Sequence, residues 1–168
     1  IHGVLRGEGA HCTINGLFMP GGTQHMDHFT VIDHTVAQCS SHELYKGVLR
    51  DDARGVFTGR IIVRKDAQKT DAKQSNNNLL LSDRAMIDTR PQLEIFADDV
   101  KCTHGATVGR MDEDQLFYLI SRGIDRAQAE NILSYAFAGD IVSRIPIPDL
   151  REALDGHIQR RLEEAWNT

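Results

Sequence analysis

Aromatic residues are scarce in this 168-residue chain, at 6%, and the single Trp166 falls in the terminal segment. A carbohydrate-active site is floored by aromatic platforms and several acidic groups, so the shortage weighs against a sugar-processing enzyme. The adjacent carboxylates Asp51-Asp52 and Asp98-Asp99 point to opposite faces if extended, and neither pair forms a glycosidase dyad. No apolar run approaches the roughly 18 residues of a membrane span, and the start Ile1-His2-Gly3-Val4 has no secretory pattern. No membrane partner is expected. Positive charge is not in excess, with 19 Lys and Arg against 24 Asp and Glu, so nucleic acid is not expected either. Phosphate-loop, dinucleotide-turn, nucleophile-elbow and zinc-protease motifs are all missing, and ATP hydrolysis by this chain is not expected. The cysteines number 3, an odd count in a chain long enough to form a core without staples. Free thiols and a reducing, cytoplasmic setting are the expectation.

What the chain does have is a change of period. Up to about residue 110, apolar residues come in short, often β-branched bursts separated by Gly, Asn or Asp, the signature of strands. Bursts at Val31, Val48, Ile61, Leu79 and Leu93 lie about 13 to 18 residues apart, a spacing that suits a sandwich, barrel or solenoid. No helical stripe separates them, which disfavours a doubly wound α/β sheet. Tight hairpin signals are limited to Asn15-Gly16, and this scarcity favours a parallel β-helix over antiparallel hairpins. The chain begins without Met, inside what reads as a strand, and is expected to be the C-terminal part of a longer protein.

Beyond Gly109 helical signals take over. Asp112 with Gln115 resembles a capping box, opening a helix with Leu116, Leu119 and Ile120 on one face and Gly123 at its end. Asp125 caps a second helix with a stripe of Ala129, Ile132, Leu133, Ala136 and Phe137, weakened at Gly139. Ile145-Pro146-Ile147-Pro148 reads as an extended connector. A third helix starts at Asp149, with Leu150, Ala153, Leu154, Ile158, Leu162 and Ala165 inward. The expected fold is mainly β with a helical cap: residues 1–110 as β-helix core, 111–168 as helical region.

Cys102-Thr103-His104 is the sharpest chemical feature. In a strand the period of two sends Cys102 and His104 to the same side, and thiolate with imidazole suits soft or borderline metals, including cluster iron. Two ligands do not close a site, so other ligands or a partner are required; a packed Cys with a hydrogen-bonded His is the alternative. His25, His28, His34, Cys39 and His42 crowd one stretch with spacings zinc sites use, yet complete no finger pattern. A self-contained metal-binding module and polar solenoid corners both remain open for them. Cys12 reads as a small buried residue. The basic stretch Arg60 to Lys73 is a solvated loop or a face for an acidic partner, and Asn76-Asn77-Asn78 an amide ladder or a turn.

The run from Leu93 through Asp98-Asp99-Val100-Lys101-Cys102-Thr103-His104-Gly105-Ala106-Thr107 to Gly109 resembles the SufB/SufD family of the SUF iron–sulfur cluster assembly system. So do Asp114 to Leu119, Ser121-Arg122-Gly123-Ile124, Gln24 with Asp27, Ser41 to Gly47, Phe57-Thr58-Gly59 and Asn76 to Leu81. Cys102, His104 and Gly105 stand where the SufB branch carries a Glu-His-Glu-Ala-Thr type of run, so the likeness is to the SufD branch. The resemblance implies a right-handed parallel β-helix followed by a helical C-terminal region. It implies a scaffold without turnover of its own, paired with SufB through the β-helices and docked by the ATPase SufC on the helical region. A nascent iron–sulfur cluster, shared transiently with SufB, is implied at that interface, with His104 first and Cys102 second as ligands. Gln115, Tyr118 and Arg122 are the candidate SufC contacts. Reduced flavin in the full complex and self-association of the isolated chain through an open β-helix end remain open.

Overall fold

The computed structural model describes residues 1–166, the side chains of 164–166 excepted. Eight strands precede three helices: β1 (His2–Leu5), β2 (His11–Phe18), β3 (His25–His34), β4 (Ser40–Leu49), β5 (Arg54–Val63), β6 (Asp71–Leu80), β7 (Met86–Ile95), β8 (Lys101–Arg110), α1 (Glu113–Ser121), α2 (Arg126–Ser143) and α3 (Pro148–Trp166). Odd strands form one sheet in the order β1-β3-β5-β7 and even strands a second, β2-β4-β6-β8. Every pairing is parallel, between residues 29 to 32 apart in sequence. The chain is therefore a parallel solenoid, two strands to the coil, as the scarcity of hairpin signals predicts.

Alternation along each strand sorts residues between the interior and the outer faces. Inward positions of successive coils stack into columns, such as Cys12–Ser41–Ala72–Cys102 in one sheet and Ile32–Ile61–Leu93 in the other. These residues share one core cluster with Leu5, Val63 and Ala97, apart from Ser41. A second cluster gathers Phe18, Tyr45, Leu49 and Phe57, with His28 between Phe18 and Tyr45 and ring centroids 4.7 and 5.6 Å away. Asn15-Gly16 lies within β2 and is not a turn. A Cβ on Gly16 would come within 2.3 to 2.6 Å of three Tyr45 ring atoms, so this glycine makes room for an aromatic one coil on.

Between the apolar clusters runs a polar interior. His34 shares a hydrogen bond with Ser41 (Nε2 to Oγ, 2.9 Å), and Gln74 donates to Glu43 Oε2 at 2.6 Å. Asn76 and Asn78 bond each other along β6 (2.7 Å), while Asn77 faces outward and accepts from Thr107 Oγ1. The asparagine run is thus neither a turn nor a ladder of identical amides. Glu43 is only 3% exposed. Burial pushes its carboxyl up, and the Gln74 bond and the nearby Thr30 hydroxyl oppose that shift only in part.

The helical region closes over the outer face of β4. Val48 packs with Ala138, Val142, Ile158 and Leu162, and Lys46 reaches Asp140 Oδ2 at 2.8 Å, donates to the Phe137 carbonyl and lies 4.6 Å from the Phe137 ring centre. Asp112 caps α1 by accepting from the Asp114 and Gln115 amides, and Gly123 takes a positive φ beyond its end. The helices depart from expectation in their buried faces. α2 runs on through Gly139, so its inner face is Ala129, Ala138, Ile141 and Val142, leaving Ile132 exposed. Ile120, Leu150, Ala153 and Leu154 are exposed too. The Ala165 side chain lies outside those described.

Two outcomes test this packing. Gly16→Ala should cost about 1–3 kcal/mol in urea unfolding through overpacking, whereas Gly105→Ala, with nothing within 4 Å of the new Cβ, should be near neutral in comparison. For Glu43, a folded-state pKa above the model-peptide 4.5 means the native state holds its proton after the unfolded chain has released it. Stability contributed by the protonated form is complete below that unfolded value and falls as pH climbs toward the folded one. The loss is about 1.4 kcal/mol per pK unit of displacement. Glu43→Gln should flatten that decline in denaturation curves measured across pH; an unchanged slope contradicts a buried, proton-holding Glu43.

Candidate functional site at the terminal coil

β7 and β8 are the last strands of their sheets, so each has a neighbour on one side and an edge of backbone donors and acceptors on the other. Inward side chains of this coil have a floor and no ceiling from the solenoid. β8 stands in register on β6, with Cys102 over Ala72 and His104 over Gln74. Both therefore occupy inner columns and share one side of the strand, as their spacing predicts. Their environments differ. Cys102 is half-buried against the core cluster, and burial pushes its thiol up, with Asp71 adding to the shift and a backbone hydrogen bond from Ala72 opposing it. The neutral thiol prevails at neutral pH, so metal ligation there would release a proton. His104 is exposed. One half-buried thiol and one exposed imidazole thus stand on the same side of a terminal strand. Among the described residues, no group of three or more His, Cys, Asp or Glu is placed to hold a metal.

Exposed apolar residues accompany the pair. Met86 and Ile95 at the ends of β7, Phe96 just after it and Val108 on β8 are 53, 41, 59 and 50% exposed, a concentration that favours burial against another surface. Gln115, Tyr118 and Arg122 are likewise all exposed, on or just beyond α1, and the Arg122 guanidinium carbon lies 4.8 Å from the Tyr118 ring centre. Phe117, 72% exposed, and Ile132 of α2 add apolar area on these two helices.

The other candidates resolve into structure. His28 and His34 face the interior as core residues, and burial pushes both imidazoles down. Cys39 is buried with its thiol toward the Gly7 carbonyl, while His25 and His42 are exposed; the crowding in sequence is not a cluster in space. Cys12 is half-buried in the first core cluster. In the basic stretch, Arg60 forks onto Glu94 and Arg64 onto Asp33, and Lys69 pairs with Asp99, so these charges are met within the chain. Asp51 and Asp52 sit in a turn, accepting from the Gly22 amide and pairing with Arg84. The sequence reading missed Glu43, Gln74 and Lys46, all in or beside segments that carry the family resemblance. The alternation Ser41, Glu43, Tyr45 before the apolar Leu49 was the available signal that Glu43 faces inward.

The family profile for the SUF system FeS cluster assembly SufBD core domain matches residues 1–137. The iron–sulfur cluster assembly protein SufD of Escherichia coli is 44% identical over 158 residues, 94% of this chain and 37% of that protein. SufD of Bacillus subtilis is 34% identical over 159 residues, 95% of this chain and 36% of that one. The chloroplastic protein ABCI7 of Arabidopsis thaliana is 36% identical over 130 residues, 77% of this chain and 27% of its own length. The chain thus spans little more than a third of the SufD proteins it matches, and it belongs to the SufBD core-domain family of SUF iron–sulfur cluster assembly proteins.

Proposed function

We propose that this chain is a non-catalytic scaffold that pairs with SufB along the β7–β8 edge, carries SufC on its helical region and contributes His104, then Cys102, to a nascent cluster at the SufB interface. The observation that carries this reading is the position of Cys102 and His104 on one side of the terminal strand, with the imidazole exposed at an open edge. A cluster built for delivery is poorly served by four rigid ligands from one chain. Ligands divided between two chains let a change at their interface loosen it. The exposed apolar residues of the terminal coil supply the contact energy such an interface needs.

The helical region, residues 111–168, serves in this account as the SufC platform. Gln115, Tyr118 and Arg122 offer an exposed polar and aromatic face, and α2 is tied to β4 through the Lys46–Asp140 pair and the Val48 cluster. Movement imposed on the helices by ATP binding to SufC would thereby reach the solenoid. The proposed setting of the complex is the cytoplasm, where free thiols such as Cys12, Cys39 and Cys102 persist. No helix among the described residues is long and apolar enough to cross a membrane. Without SufB, the same edge would take a second copy of the chain.

His104→Ala in the complete protein with SufB and SufC should reduce cluster build-up, followed by iron–sulfur absorbance, by at least about tenfold while leaving the complex intact on gel filtration. Cys102→Ala should cost less, and cluster formation unaltered by His104→Ala removes the residue from the site. Tyr118→Ala combined with Gln115→Ala should weaken SufC retention in pull-downs by about tenfold, roughly 1.4 kcal/mol. Undiminished retention places the SufC contact elsewhere.

A further inference from the structure

The column Ile14–Glu43–Gln74–His104 passes through β2, β4, β6 and β8, one residue per coil. Gln74 is 1% exposed, and its amide nitrogen is committed downward to Glu43 Oε2. That bond leaves Oε1 as the free end of the amide, and this buried oxygen has no hydrogen-bond partner. Buried acceptors are rarely left so, because desolvation is not returned without a donor. Across the interior, Gly59 has no side chain, and Gln74 fills the space its Cβ would take. Above Gly59 stands Pro91, which has no N–H. Directly above Gln74 stands His104, whose ring carries a donor at one nitrogen or the other according to tautomer. Two other donors stand in this coil, each one inward position away: the Thr89 hydroxyl over Phe57 and the Cys102 thiol, a weak donor, over Ala72.

We propose that Gln74 is a positioning residue for His104: its Oε1 accepts a hydrogen bond from one ring N–H of His104, fixing tautomer and ring orientation so that the other nitrogen presents its lone pair to the open end of the solenoid. The purpose of this arrangement rests on the reading of His104 as a cluster ligand; the hydrogen bond itself does not. A histidine that ligates a metal nearly always donates its second ring N–H, most strongly to a carboxylate. An amide orients the ring without adding charge, raising its basicity less than a carboxylate would. That suits a ligand that must release what it holds. Glu43 anchors the amide from below and so decides which of its ends faces His104.

The experiment is NMR of the ¹⁵N-labelled chain without metal, with the His104 ring signals assigned from His104→Gln. His104 should show one dominant tautomer and a ring N–H exchanging with water at least about tenfold more slowly than those of exposed His25 and His42. Gln74→Met keeps the volume but removes the acceptor and should abolish that protection. Gln74→Glu, which keeps an acceptor oxygen, and Thr89→Val should both retain it. Fast exchange in the wild type, protection that survives Gln74→Met, or loss in Gln74→Glu overturns the proposal. Loss in Thr89→Val equal to that in Gln74→Met means that the protection does not single out Gln74, and overturns it too. A protected ring together with normal cluster build-up in His104→Ala would leave the hydrogen bond standing and remove the ligand reading.

Discussion

In a solenoid of parallel coils each inward side chain is the floor of the next, because register carries every residue onto its neighbour about 4.8 Å away. This constraint governs the molecule. Where a large group stands in one coil, a small one is placed beside it: Gly16 beside Tyr45, Gly47 beside Phe18 and Gly59 beside Gln74. It also makes the last coil unlike the others. Cys102 and His104 occupy the columns that Ala72 and Gln74 fill one coil below, yet His104 is exposed where Gln74 is sealed. A polar side chain at the end of a stack needs no groove to become accessible.

The polar interior is the second consequence. A buried carboxyl, an amide and a hydroxyl, Glu43, Gln74 and Thr30, cost more to bury than leucines would. They are held by a scaffold whose ends are strongly apolar, with Ile32, Ile61 and Val63 on one side and Phe18, Leu49 and Phe57 on the other. Lys46 does the converse on the outside, carrying charge under the helices and finding Asp140, whose carboxyl this bond holds below the usual range. One strand, β4, thus presents Glu43 to the interior and Lys46 to the helical region, and links the two parts physically.

Much of this was legible from residue order. Strand bursts without hairpin turns pointed to stacked coils, and the period of two placed Cys102 and His104 on one side. Asp112, Gly123 and Asp125 marked helix ends through capping chemistry that is local by nature. What was not legible depended on contacts distant in sequence. Asn15-Gly16 carries a turn signature but serves a tyrosine 29 residues on. The crowded histidines separate because successive residues on a strand face opposite ways and β3 and β4 lie in different sheets. The inner face of α2 could not be found from periodicity alone, since Ala138 and Val142 are chosen by Val48 of β4 and Ile158 and Leu162 of α3 rather than by the apolarity of Ile132.

The central claim is that the terminal coil is a docking edge. Hydrogen–deuterium exchange of the complete protein with and without SufB tests it most directly. The account predicts that backbone amides of β7 and β8, residues 86–95 and 101–110, gain protection on SufB binding while those of β3 and β5 stay unchanged. SufB binding that leaves β7 and β8 exchanging as before, with protection arising elsewhere, would contradict it.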